Sequence, residues 1–227
     1  MYRYVKRLLD VVLSGLAIVL SLPLWVMTII GIELSDPGPV FYRAERIGRD
    51  NKAFVMYKFR SMRVLREARE GAEASLRPEA DRIFPWGRII RRLKLDELPQ
   101  LLNILLGDMS IVGPRPVAKD QFVLFRFGKY DEARKVRPGL TGPAALYDYI
   151  YGDRFEEADE AEYMEKVYPT RRELEYVYVR KQSFLFDAWM CMETVLCVLC
   201  SLSGREHTRL LGQLAEMARE SVAQRAA

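Results

Sequence analysis

Cysteine and histidine are nearly missing from this chain: three and one among 227 residues. Cys191, Cys197 and Cys200 are too few to build a disulfide framework. A zinc site usually takes four ligands, and Cys197-x-x-Cys200 with His207 falls short of that. The three read instead as small hydrophobes in an apolar stretch, and imply a reducing surrounding for the globular part. A dominant charge sign is missing too, with 35 basic against 31 acidic residues. A net charge of +4, with no base-reading motif among the cations, points away from nucleic acid. There is no internal repeat and no low-complexity tract. Half the residues are apolar, which excludes wholesale disorder. The most local absence is charge itself: residues 11–32 hold none, although 29% of the chain is charged.

What fills that window is VVLSGLAIVLSLPLWVMTIIGI, behind a basic start at Arg3, Lys6 and Arg7. The run is longer than a signal-peptide core and no A-x-A site follows, so it is expected to stay on the mature protein. As one helix it is about 33 Å long, enough for a hydrocarbon core. Pro23 near its middle costs a backbone hydrogen bond, and Ser14 and Ser21 are hydroxyl neighbours able to compensate. Basic residues flank both ends, with Arg43, Arg46, Arg49 and Lys52 on the far side, and positive flanks belong in the cytoplasm. A helix–break–helix satisfies both flanks. Two arms of about 11–12 residues, each ~17 Å, would meet at a membrane break formed by Ser21 and Pro23. The competing reading is an ordinary kinked span.

The rest alternates short strands and helices. Asp36-Pro37-Gly38-Pro39 ends the apolar segment. Val40–Tyr42 and Ala53–Phe59 read as strands around a basic loop, Arg43–Lys52. Val64–Leu76 reads as an exposed charged helix, Arg88–Leu93 as a basic one. Asp96–Leu105 reads as a helix with Asp96 at its N-cap. Gly113-Pro114-Arg115-Pro116 and Arg137–Pro143 read as stiff loops around a helix over Val117–Val136. Residues 153–165 carry seven acids and read as a solvated face. Leu185–Leu202 reads as an amphipathic helix, in the core or on a membrane interface. Residues 209–227 read as a weak helical tail, prone to fray.

Two features could carry chemistry. Adjacent acids Asp96-Glu97 at a helix start can serve as caps, or can divide work as nucleophile and metal ligand. The cations Lys58, Arg60, Arg88, Arg91, Arg92, Lys94 and Arg115 suit phosphate, and equally suit anionic lipid headgroups. Rigid Pro/Gly loops around Arg115 and Arg137 would fix these two in place.

The ordered motifs resemble a known family. They are Lys6-Arg7…Asp10, Asp36-x-Gly38-Pro39-Val40-Phe41-Tyr42, Tyr57-Lys58-Phe59-Arg60-Ser61-Met62, Leu95-Asp96-Glu97-Leu98-Pro99-Gln100-Leu101, Gly107–Pro116 and Val136–Gly142. Together they resemble the bacterial sugar transferases, the small monotopic phosphoglycosyl transferases. The resemblance implies transfer of a phospho-sugar from a UDP-sugar to polyprenyl (undecaprenyl) phosphate, with release of UMP, at the first membrane step of polysaccharide or glycoconjugate assembly. It implies Asp96 as the nucleophile forming an aspartyl-phosphosugar intermediate, Glu97 as the Mg²⁺ ligand, and Lys58, Arg91 and Arg115 as phosphate-binding bases; Arg137, fixed by its stiff loop, is a fourth phosphate-binding candidate read from the residues themselves. It places the protein with membrane lipids on the cytoplasmic face of the bacterial inner membrane and is compatible with a homo-oligomer. Two stretches depart from the family: Ser21-Leu22-Pro23 replaces Ser-Pro, and Pro143-Ala144-Ala145-Leu146-Tyr147-Asp148-Tyr149 replaces a W-A-Q-x-N-G-like run. A non-catalytic membrane-docking scaffold and a membrane phosphohydrolase are the rival functions.

The expected fold is α+β and mainly helical: a re-entrant membrane helix over 1–36, a compact catalytic domain over 37–204 with a small β-hairpin and amphipathic interfacial helices, and a tail over 205–227.

Overall fold

A computed structural model of the protein describes residues 2–63, 82–118, 128–151, 165–203 and 207–226. The charged helix expected over 64–76 lies outside the described residues, as does all of the acidic stretch except Glu165. The chain is mostly helical, with a small sheet and an apolar N-terminal helix.

Helix α1 spans Tyr2–Ser35 as one element, with Pro23 inside it. The expected two-arm break is therefore replaced by a single helix about 51 Å long at 1.5 Å per residue. Pro23 removes one backbone donor, which leaves the remaining turns bonded. Nearby, Ser21 Oγ donates to the Ile18 carbonyl (3.2 Å) and receives Trp25 Nε1–H (3.1 Å).

The face that α1 turns to the body keeps helical spacing across Pro23. Asp10, Ser14, Thr28 and Ile32 are buried, and Ala17, Ile18, Trp25 and Ile29 pack against core clusters. The other face is apolar and exposed, from Val11 and Leu16 through Leu20, Val26 and Ile30 to Leu34. Polar residues in and apolar residues out inverts the pattern of a water-soluble helix.

Strands β1 (Phe41–Ile47) and β2 (Ala53–Phe59) form the hairpin, with Tyr42 opposite Lys58. The loop expected over 43–52 shrinks to 48–52, because Arg43 through Ile47 are residues of β1, paired with Ala53–Tyr57 of β2. Helix α2 (Pro85–Arg92) and helix α3 (Gln100–Leu106) follow, separated by a 3₁₀ turn over Leu95–Glu97. β2 is an edge strand, and α3 covers that edge with one side chain. Asn103, fully buried, accepts Tyr57 N–H on Oδ1 (3.0 Å) and donates Nδ2–H to the Val55 carbonyl (2.7 Å), as a neighbouring strand would. Asn103→Leu is expected to orphan both backbone groups and cost about 2–4 kcal/mol, measured as a drop in the thermal midpoint of the detergent-solubilised protein.

Strand β3 (Ser110–Val112) pairs in parallel with β5 (Gly139–Thr141). The two stiff loops of the sequence are thus docked on each other. A Cβ on Gly139 would fall on the Gly113 backbone, so only glycine allows this approach. Val117–Ala118 is a short strand, β4, beside β1, and 128–135 is 3₁₀, so the helix expected over 117–136 is absent from its described parts.

Among the described residues, four C-terminal helices complete the body: α4 (Pro143–Tyr151), α5 (Tyr168–Lys181), α6 (Phe184–Leu202) and α7 (Thr208–Ala226). α7 is not a frayed tail. Leu210, Leu214 and Ala218, at helical spacing, are buried in the cluster that contains Leu174, Tyr178 and Met190, and Ser221 Oγ–H donates to Glu173 (2.6 Å). α6 repeats the inversion of α1. Met190, Glu193 and Cys197 are buried, while Leu185, Val195, Leu199 and Leu202 are exposed.

The N-terminal motif residues fasten α1 to the body. Lys6 Nζ–H and Tyr2 O–H donate to Asp187 of α6 (both 2.7 Å). Arg7 donates to the Ile104 and Leu105 carbonyls at the end of α3 (2.6 and 2.9 Å). Asp10 accepts from Ser110 Oγ (2.8 Å) and Ile111 N–H (3.0 Å). At the far end, Arg60 donates to the side chain and backbone carbonyl of Asp36. That bond, not phosphate, is the partner of Arg60.

Candidate active site

The chain turns from α2 into α3 in two steps. Lys94 takes the left-handed conformation (φ 54°), and one 3₁₀ turn then carries Leu95, Asp96 and Glu97. Pro99, not Asp96, stands at the helix start, and no side chain caps it. Support from a helix N-terminus, expected for the Asp96-Glu97 pair, is therefore replaced by side-chain cations.

Lys58, on β2, places Nζ 3.0 Å from Glu97 Oε1 and 3.9 Å from Asp96 Oδ2. Burial pushes the Asp96 carboxyl up to about 6; Lys58 opposes this and the adjacent Glu97 charge reinforces it, with Lys94 and Arg91 opposing more weakly. Burial pushes Glu97 the same way, but Lys58, Lys94 and Arg115 outweigh it and hold Glu97 well below the usual carboxylate range. Two neighbouring acids are thus driven apart, as in sites that give paired carboxylates different tasks. Asp96 is 7% exposed, and its Oδ1 accepts no hydrogen bond among the described residues. A buried acceptor with no donor costs stability.

A cavity of about 590 Å³ opens beside the dyad. Glu97, Lys94, Arg115 and Asp148 line it, together with Ala17 of α1 and Cys191 and Val198 of α6. The two helices with outward apolar faces therefore wall the same space as Glu97.

Over residues 1–201 the sequence matches the family model described as bacterial sugar transferase. The chain belongs to that family. Among its sugar transferase relatives is the UDP-glucose:undecaprenyl-phosphate glucose-1-phosphate transferase of Escherichia coli (strain K12), 39% identical over 85% of this chain and 40% of that one. The UDP-N-acetylgalactosamine-undecaprenyl-phosphate N-acetylgalactosaminephosphotransferase of Aeromonas hydrophila is 34% identical over 90% and 46%. The exopolysaccharide production protein ExoY of Sinorhizobium fredii (strain NBRC 101917 / NGR234) is 36% identical over 86% of each chain. The chain covers about half or less of the first two relatives' length.

In this member of the family, Lys58, Arg91 and Arg115 gather around Asp96 and Glu97, through the contacts and charges described above. Arg137 does not join them. Its Nε–H donates to the Gly107 carbonyl (2.7 Å), and it lines a separate cleft with Arg7 and Lys6. Two residues of the departing stretch enter the site without any sequence signal. Asp148 Oδ2 lies 3.6 Å from Arg115 Nε and 3.5 Å from Arg171 Nη1, and the Tyr149 ring lies under Lys94 Nζ (4.2 Å to the centroid). Only the docking of α4 on the β3–β5 pair brings them there.

Proposed function

We propose that this sugar transferase moves a phospho-sugar from a UDP-sugar to polyprenyl phosphate at a membrane surface, through a covalent Asp96 intermediate. The observation that carries it is the buried, undonated Asp96 Oδ1 beside Glu97, which itself lines a cavity walled by α1 and α6. The Asp96 carboxylate attacks the sugar-linked phosphorus, the bond to the bridging oxygen breaks, and UMP departs with that electron pair. A phosphate oxygen of the lipid acceptor then attacks the same phosphorus, releases Asp96, and yields polyprenyl diphosphate sugar. Lys58, Arg91 and Arg115 neutralise the phosphates that a carboxylate must approach. The relatives' printed names support both donor and acceptor classes.

The oxygen donor set fits Mg²⁺, which takes one or two carboxylates and fills its shell with water and phosphate oxygens. Among the described residues no cluster of three or more acids, His or Cys could hold a metal alone, which agrees with a metal that arrives with the substrate phosphates. Glu97 would hold it, with Asp96 adjacent, and Mg²⁺ when bound supplies charge neutralisation at the diphosphate. Glu97, kept ionised by Lys58 and Lys94, is suited to that role.

α1 is read as embedded from one side, with both ends on the cytoplasmic face and a kink at Pro23. Support comes from its fastenings: Lys6 and Arg7 near one end and Trp25 and Ile32 near the other all meet the same body. A helix crossing to the far side could not keep both sets.

The test is a UMP-release screen across UDP-sugars with polyprenyl phosphate and Mg²⁺. Release that requires the lipid for turnover supports transfer; equal turnover without it favours hydrolysis. The pH profile adds a second check. Since the Asp96 nucleophile must be ionised, kcat/KM is expected to fall below about pH 6 and to be flat above. In Lys58→Met the acid limb should move to higher pH, because the cation that most opposes Asp96 protonation is gone.

A further inference from the structure

A second cleft, of about 50 Å³, opens where α1 begins and shares no lining residue with the larger cavity. Six cations line it: Arg3, Lys6, Arg7, Arg49, Lys135 and Arg137. The lining acid, Asp10, has both oxygens engaged by Ser110 and Ile111. Lys6 is paired with Asp187. Arg7 and Arg137 are bonded to carbonyls at the end of α3, which orients the guanidinium groups without neutralising them. Among the described residues, Arg49 and Lys135 have part-exposed acid partners, Asp50 at 3.3 Å and Glu132 at 3.5 Å. Such exposed pairs are weak. With Asp108, whose charge also reaches Arg137, added to these four acids, the six cations still outnumber them by one. Burial, with the Arg7 and Arg49 charges beside it, pulls the Arg137 guanidinium down from its ordinary value against Asp10 and Asp108. A cleft lined by six cations and one hydrogen-bonded acid favours an anion.

The neighbouring apolar residues name the anion. Leu8 follows Arg7 on α1, Leu106 sits between the Leu105 and Gly107 carbonyls that Arg7 and Arg137 bind, and Phe184 and Leu185 follow the lining Gln182; each is more than half exposed. A cationic hole on elements that also turn apolar side chains outward matches a headgroup phosphate with acyl chains beside it. The hole is too small for a sugar nucleotide. We propose that this cleft binds the phosphate of an anionic glycerophospholipid. The inference rests on reading the outward faces of α1 and α6 as lipid-facing, and not on the catalytic reading.

Native mass spectrometry of the full chain, released from nanodiscs of equal phosphatidylglycerol and phosphatidylcholine, tests it. Wild type is expected to retain phosphatidylglycerol at least about tenfold over phosphatidylcholine. Arg49→Gln/Lys135→Gln should lose that preference and keep UMP release in detergent, while Arg49→Lys/Lys135→Arg should keep both. Equal retention of the two lipids by wild type overturns the proposal, as does an unchanged preference in the glutamine variant. Displacement of the retained lipid by a UDP-sugar or by inorganic phosphate at millimolar concentration also overturns it, by making the cleft a substrate or free-phosphate site. Because the readout is bound mass, a failure of the transfer reaction leaves the result interpretable.

Discussion

Asp96→Asn is expected to lower UMP release by at least about 10³-fold, and to leave no phospho-sugar on the peptide that contains residue 96. Asparagine keeps the shape of the side chain and nearly all of its packing. It removes the anion that must attack phosphorus, and Lys58, Arg91 and Lys94 then face one acid instead of two. A loss of folding would give the same kinetic result, so the thermal midpoint must be read alongside. Its sign is fixed by the titration. Burial raises the Asp96 carboxyl to about 6, so at pH 7 the native state holds an ionised group less readily than the unfolded chain does. Removing that charge should leave the midpoint unchanged or higher. An inactive variant that is at least as stable as wild type isolates the chemistry. Normal turnover in Asp96→Asn would remove the covalent mechanism.

Glu97→Gln is expected to lower turnover by roughly 10²–10³-fold and to weaken the dependence on Mg²⁺, seen as a higher metal concentration for half-maximal rate. The stability sign is opposite to that of Asp96. Glu97 is held well below the usual range by Lys58, Lys94 and Arg115, so its ionised form stabilises the native state. Glutamine can still accept from Lys58 but withdraws the negative charge that faces it at 3.0 Å, and the thermal midpoint should fall. The pair of variants thus separates two adjacent acids by direction: one loses activity with stability kept, the other loses both. If both moved stability the same way, the division of roles between the acids would be wrong.

Much of this was legible along the chain, and the reasons differ by feature. The charge-free window at 11–32 shows itself because membrane exposure demands a long run of one residue class. Asp96, Glu97, Lys58, Arg91 and Arg115 show themselves because they stand in ordered motifs as adjacent acids and cations. Arg137 had the same composition signal, and docking of β5 on β3 turned it to the Gly107 carbonyl. Asn103, Asp148 and Tyr149 had no signal at all. Asn103 acts by imitating a strand edge, and that role exists only once β2 is an edge. Lys6, Arg7 and Asp10 stood in a motif whose use was unreadable, since their partners lie about 100 residues away or more.

The opening absences keep this division. Scarce cysteine and histidine, and one window without charge, followed from local composition, and composition alone settles what a segment can be solvated by. Whether that window is broken or continuous, which face it turns inward, and which cations meet Asp96 and which leave for another cleft were decided by tertiary packing. Those outcomes depend on bonds between residues far apart in the chain, and no local pattern encodes the partner at the other end.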